Sequence, residues 1–147
     1  MTTDQLTFLN SNSFAVAGAS NNRAKYGNMV FRALVEHTAN DNRKVYPIHP
    51  ALDLVEGHQA FTGVDTLPEV PEALSIITPA AVTEKIVQQA IAVGIKQIWM
   101  QPGAEHPGAI AAAEAAGITV LAHGPCILVD LKTLLYCLLY TSPSPRD

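Results

Sequence analysis

Cysteine is nearly absent from this chain: it has two in 147 residues, Cys126 and Cys137. A disulfide-built scaffold is therefore excluded, and a reducing compartment fits. Basic charge is not in excess. The formal net charge is −4, which argues against a nucleic-acid surface. The start of the chain lacks the charged and apolar pattern of a signal peptide. No apolar run approaches the roughly 20 residues that cross a bilayer. Neither nucleic acid nor membrane is expected as a partner, and a cytoplasmic protein is expected. What remains is a 48% hydrophobic chain of a length that suits one domain.

The last eleven residues, "CLLYTSPSPRD", shift abruptly to serine and proline. One back-translation of this stretch reads as an in-frame, transposon-type sequencing adapter. Residues 137–147 are therefore expected to be a non-native tail after a domain of residues 1–136. The natural C-terminus would then be missing, and Cys126 would be the single native cysteine.

Strand and helix patterns alternate along the rest. "SFAVAG" (13–18) reads as a buried strand, and residues 25–37 read as a helix with Tyr26, Val30, Leu34 and His37 on one face. "RKVYPIHP" (43–50) reads as a second strand, stopped by its prolines. "ALDLVEG" suggests a helical turn, and Gln59 to Phe61 a short strand. "ALSIIT" (73–78) is the next strand. The helix after it should be capped by Thr78, carry Pro79 at its first position and end at Gly94. A strand at 96–101, an alanine-rich helix from Pro107 to Gly117 and a last strand in "ITVLAHG" complete the pattern. The expectation is an α/β, Rossmann-like, doubly wound sheet, mainly parallel, of about five strands with helices on both faces.

In such sheets ligands bind beyond the carboxyl ends of the strands. Four loops qualify: Gly18 to Lys25, Pro47 to Pro50, Thr78 to Ala81, and Gln101 to Pro107. The first has phosphate chemistry. Gly18 and Ala19 let backbone amides approach an anion, Ser20 adds a hydroxyl, and Arg23 and Lys25 add charge beside a helix start. It reads equally as a polar turn shaped by Asn21 and Asn22. It is not the dinucleotide fingerprint, since "GASNNR" stands where G-x-G-x-x-G is required. The second strand also ends without the acidic residue that would hold an NAD ribose.

"AVAGASNNRAKYGNMVFRALVEH", "KVYPIHP", "GIKQIWMQPGAEHPGAIAAAEAAGITV" and "HGPCILVDL", in that order, resemble the small stand-alone CoA-binding proteins. These are similar to the N-terminal domain of the succinyl-CoA synthetase α subunit. The resemblance spans roughly residues 10 to 131 and implies coenzyme A or an acyl-CoA as ligand. It implies Gly18, Ala19, Ser20 and Lys25 as the phosphate loop, with Tyr26 and Gly27 at the helix start. Pro47, His49 and Pro50 match the turn after the second strand, where the family usually has Asn-Pro. Thr78, Pro79, Gln101, Gly103 and Glu105 match the later strand-end loops.

Catalysis finds less support. His37, His49, His58, His106 and His123 show no metal-ligand spacing, apart from His123 with Cys126, and two ligands do not make a zinc site. The same two residues could form a nucleophile pair, but the apolar run after Gly124 and Pro125 reads as a packed thiol. Glu105 sits where catalytic carboxylates occur but has no evident partner. Acyl-CoA ligases of the family also need a domain with a phosphorylatable histidine and a nucleotide-grasp partner, for which this chain has no room. Three readings stay open. One is a CoA-binding module without chemistry of its own. Another is a detached acyl-CoA ligase subunit, or an oxidoreductase with a nucleotide cofactor. The third is a partner-binding Rossmann domain with a vestigial site. A homo-oligomer or a ligase partner subunit are the assemblies considered.

Overall fold

The computed structural model describes the backbone of residues 2–140 and side chains as far as Leu134. Five parallel strands form the sheet: β1 (Ser13–Ala17), β2 (Lys44–Ile48), β5 (Ala73–Ile76), β6 (Gln97–Met100) and β7 (Thr119–Leu121), in the spatial order β2-β1-β5-β6-β7. A hairpin of β3 (Leu54–Val55) and β4 (His58–Gln59) lies outside the sheet. Helices α1 (Thr3–Leu9), α2 (Tyr26–His37), α3 (Ala80–Val93), α4 (Pro107–Ala115) and α5 (Ile127–Tyr140) complete the fold. The expected doubly wound α/β architecture is present.

Period-two alternation explains the two layers. Phe14, Val16 and Trp99 turn to one face and pack with Phe8, Val30, Phe31, Leu34 and Ile127 of α1, α2 and α5. Ala15, Ala17, Leu74, Ile76, Ile98 and Met100 turn to the other and meet Val87, Ala90 and Ala113 of α3 and α4. Trp99 is nearly fully buried, edge-on to Phe8 with ring centroids 5.3 Å apart. These faces bury the strands on both sides, as parallel sheets require.

Several local expectations change. Pro47 does not stop β2, which runs through to Ile48. Pro47 lies on the edge strand, and its carbonyl accepts from the Phe61 amide on the outer side, so its missing N–H also faces away from β1. "ALDLVEG" is not a helical turn. It forms β3 and the hairpin bend, where Glu56 and Gly57 take φ of +48° and +81°. Two successive left-handed residues make the tight turn that matches strand twist. Pro79 is the cap of α3 and not its first residue, and Thr78 gives no capping bond to the helix amides. Gly94, at φ +88°, closes α3 as expected.

Two helices went unread. The start of α1 carries a capping box: Gln5 N–H donates to Thr2 Oγ1 at 3.2 Å, and Thr2 N–H to Gln5 Oε1 at 2.6 Å. α5 extends to Tyr140, so its backbone passes through residues 137–140 of the expected tail. Residues 141–147 of that tail lie outside the described residues.

Candidate functional site

Sheet order creates a switch point between β1 and β5. The chain leaves β1 through α2 toward β2, and leaves β5 through α3 toward β6. A crevice at the carboxyl ends is the expected consequence. Here Gly18 follows β1, with φ +93°. A Cβ on Gly18 would lie 1.9 Å from the Ile77 carbonyl oxygen, and one on Gly27 would lie 1.9 Å from the Gly18 carbonyl oxygen. Both glycines are therefore dictated by backbone touching backbone. The first turn of α2 is drawn tightly onto the strand end.

The loop satisfies many of its own groups. Gly18 N–H donates to the Ile48 carbonyl at 3.3 Å, so it is not an anion donor as expected. Ser20 Oγ accepts from Asn22 N–H, Asn22 Oδ1 from Ala24 N–H, and the Asn22 carbonyl from Lys25 N–H. Ala19 is fully buried. What remains for a ligand is the Ser20 hydroxyl proton and, at the opening of α2, the amide of half-buried Tyr26, since Gly27 and Asn28 are buried. Lys25 stands exposed at the N-cap, and among the described residues it makes no ion pair.

Arg23 is differently placed. Its Nη2 donates to Glu56 Oε1 at 2.7 Å and its Nε to Oε2 at 3.2 Å. Asn28, fully buried, donates to the same Oε2 at 2.8 Å and to the Ser20 carbonyl at 2.7 Å. Asn21 completes the clasp: its Nδ2 donates to the Leu54 carbonyl and its Oδ1 accepts from Glu56 N–H, both at 2.8 Å. The hairpin is thus bolted to the loop after β1. Hydrogen bonds from Arg23, then from Asn28, hold the Glu56 carboxyl at about 2. A carboxylate does reach this loop, although β2 itself ends without one. Sequence reading missed it because Glu56 is 33 residues from Arg23, with no local spacing to link them.

After β2, His49 Nδ1 accepts from Ala51 N–H and Leu52 N–H, each at 3.0 Å. Its ring pins the turn as an Asn carboxamide would, leaving Nε2 as the ring's other polar atom. Thr78 Oγ1 and Thr83 Oγ1 share a hydrogen bond at 2.8 Å. Gln101 is fully buried; its Nε2 donates to Ser75 Oγ and its Oε1 accepts from Ile127 N–H. Gln101 therefore ties the end of β6 to α5 and presents nothing to a ligand. Gly103, at φ +94°, turns the following loop, and its N–H donates to Glu105 at 2.8 Å. That bond is the partner Glu105 lacked in the sequence. Tyr26 has a buried hydroxyl without a hydrogen-bond acceptor or donor in place, beside the Cys126 thiol. Burial, reinforced by Cys126, pushes its phenol upward.

The structure brings the Gly18 loop, the start of α2, the Ile48 to Pro50 turn and Thr78 to one edge. Among the described residues, no three His, Cys, Asp or Glu side chains cluster as a metal would need, and no helix is long and apolar enough to cross a membrane.

Comparison with known proteins agrees with this architecture. The family model described as a CoA binding domain matches residues 12–132. The α subunit of an ADP-forming acetate–CoA ligase II from Pyrococcus furiosus is 33% identical over 84 residues. That match covers 57% of this chain but only 17% of the ligase subunit. A conserved hypothetical protein of Pyrococcus furiosus superposes with a TM-score of 0.72 at 32% identity, covering 81% of this chain and 98% of that one. A dinucleotide-forming acetyl-coenzyme A synthetase 1 of Ca. Korarchaeum cryptofilum, solved with phosphate and ADP, gives 0.67 at 25% identity. It covers 78% of this chain and 25% of the synthetase.

Proposed function

The chain belongs to the CoA binding domain family, and from that premise we propose that it binds coenzyme A or an acyl-CoA at the loop after β1, as a binding module without chemistry of its own. The observation that carries this reading is the opening of α2 at the switch point. Gly27 lets that helix start press against Gly18, which brings the positive dipole end of α2 to the switch point. Ser20 and Lys25 flank it, and a diphosphate fits their chemistry. Among the described residues, no hydrogen-bonded nucleophile, base and orienting group stand together there. The test is mass spectrometry of small molecules released from purified protein, followed by calorimetry. Release of CoA or an acyl-CoA, and titratable CoA binding, is the expected result. A protein that carries no nucleotide and gives no heat with CoA fits the vestigial reading instead.

A ligase-subunit role has one specific observation in its favour, the likeness to the acetate–CoA ligase α subunit. This chain spans a small share of that subunit, so the proposal is a CoA-presenting role within a larger assembly. Acetyl-CoA formation from acetate, ATP and CoA by the isolated chain would contradict the module reading.

A further inference from the structure

We propose that Glu56 masks Arg23 and thereby keeps the site from rewarding a phosphate on the ligand's ribose, so that CoA and dephospho-CoA bind alike. The proposal rests on the CoA reading of the site above. Position carries the first step. In open α/β sheets the ribose of a bound nucleotide lies near the end of β2, where an arginine serves a ribose phosphate and an acid a ribose hydroxyl. The β3–β4 hairpin follows β2, stays next to it through the Ile48–Phe61 bridge, and delivers Glu56 to Arg23. Both ribose-reading chemistries thus stand on that side, but each is engaged with the other.

The clasp is built, and not an incidental surface pair. The Glu56 side chain is 17% exposed while that of Arg23 is 68% exposed. Three side-chain hydrogen bonds converge on the Glu56 carboxylate, one of them from the fully buried Asn28. Its backbone adopts φ +48°, the left-handed conformation that the two-residue hairpin turn requires, which sets the carboxylate at the hairpin tip. The carboxylate is therefore held at the loop whether or not a ligand is present. It cancels the Arg23 charge, engages two of its N–H donors, and repels an incoming phosphate. A ribose phosphate gains little from such a pair.

Calorimetry with CoA and dephospho-CoA tests this on the wild type, Glu56→Gln, and Glu56→Gln combined with Arg23→Ala. The wild type is expected to bind the two compounds within about threefold of each other, as a screened and neutralised cation would allow. Glu56→Gln frees the guanidinium and should favour CoA by about tenfold or more, the scale of one charge-assisted phosphate contact. Adding Arg23→Ala should return the ratio to the wild-type value. Mere loosening of the hairpin would not be reversed by removing Arg23, so this second variant guards against a folding artefact. A wild type that already prefers CoA by about tenfold, or a ratio that Glu56→Gln leaves unchanged, overturns the mask and spares the CoA reading. Absence of binding by either compound to every variant overturns both.

Discussion

Gly27 sits against Gly18 so closely that a single methyl group on Gly27 would lie 1.9 Å from the Gly18 carbonyl oxygen. The obstacle is backbone, so no side chain can swing away. Gly27→Ala is expected to destabilise the fold by about 1–3 kcal/mol, the usual range for overpacking. That corresponds to a drop of several degrees in melting temperature for a chain of this size, roughly 2–4 °C per kcal/mol. Scanning calorimetry without ligand checks it. An unchanged melt would mean that α2 does not press on the strand end. Gly18→Val falls under the same argument: it meets Ile77 and a positive φ before it meets any phosphate, so its loss of binding would report on folding.

The Glu56 clasp gives a pH dependence with a definite sign. Its carboxyl is lowered to about 2 in the fold, against an ordinary value of 4.5. A lowered folded value means stabilisation that is present above the unfolded value and lost as pH falls toward the folded one. Wild type should therefore lose stability relative to Glu56→Gln between about pH 4.5 and pH 2. Urea denaturation at pH 7 and at pH 3 measures this. A gap between the two proteins that is the same at both pH values would show that the carboxylate is unpaired in solution.

Much of the fold was legible because strands buried on both faces leave continuous apolar runs, as in residues 13–17 and 73–76. α3 was legible at its Gly94 end and to within one residue at its start, where Pro79 is the cap and not the first residue. The hairpin was not, because two-residue strands carry no periodicity and Glu56 is an unusual residue at positive φ. α1 and α5 did leave signals: Thr2 with Gln5 is a capping box, and Ile127, Leu128, Leu131 and Leu134 follow helical spacing. At the site, the strand-end loops were readable as places, but their pairings were not. Arg23 and Lys25 look equivalent in sequence, yet only Arg23 is neutralised, by a partner that tertiary folding supplies.

Tyr26 provides a test of the buried hydroxyl beside Cys126. An unpartnered buried hydroxyl costs about 1–3 kcal/mol of desolvation. Tyr26→Phe removes that cost and keeps the ring, which packs in the α2 face of the core. Its melting temperature without ligand should equal or exceed that of the wild type. A fall of several degrees would show that the hydroxyl has a structural partner.

His49 should be replaceable by the residue its geometry imitates. Nδ1 receives two backbone amides at the turn, a task an Asn carboxamide oxygen can take over. His49→Asn is therefore expected to melt like the wild type, while His49→Ala leaves two amides without their acceptor and should lose about 1 kcal/mol. Thermal melts of the two variants side by side decide it. Equal losses in both would mean that the imidazole matters through its ring packing.

Ligand choice and its salt dependence follow from which charges remain available. CoA brings a diphosphate and a further phosphate, whereas NAD brings the diphosphate and needs a carboxylate for its ribose hydroxyls. Glu56 is the carboxylate at hand, but three of its acceptor positions are already taken by Arg23 and Asn28, so it is poorly placed to serve an NAD ribose. CoA should bind at least about tenfold more tightly than NAD, a gap of roughly 1.4 kcal/mol. Because Glu56 pairs with Arg23, that preference rests on the ribose acceptor more than on the third phosphate. Lys25, which makes no ion pair among the described residues, supplies the remaining loop cation at the head of α2. Lys25→Ala should weaken CoA several-fold, on the order of 1 kcal/mol, with an unchanged melt, and should flatten the decline of affinity with salt. Calorimetry at low and high ionic strength, with both cofactors and both proteins, reads all of these effects. NAD binding as tightly as CoA would remove CoA as the assigned ligand, and an unchanged salt slope in Lys25→Ala would move the diphosphate away from the start of α2.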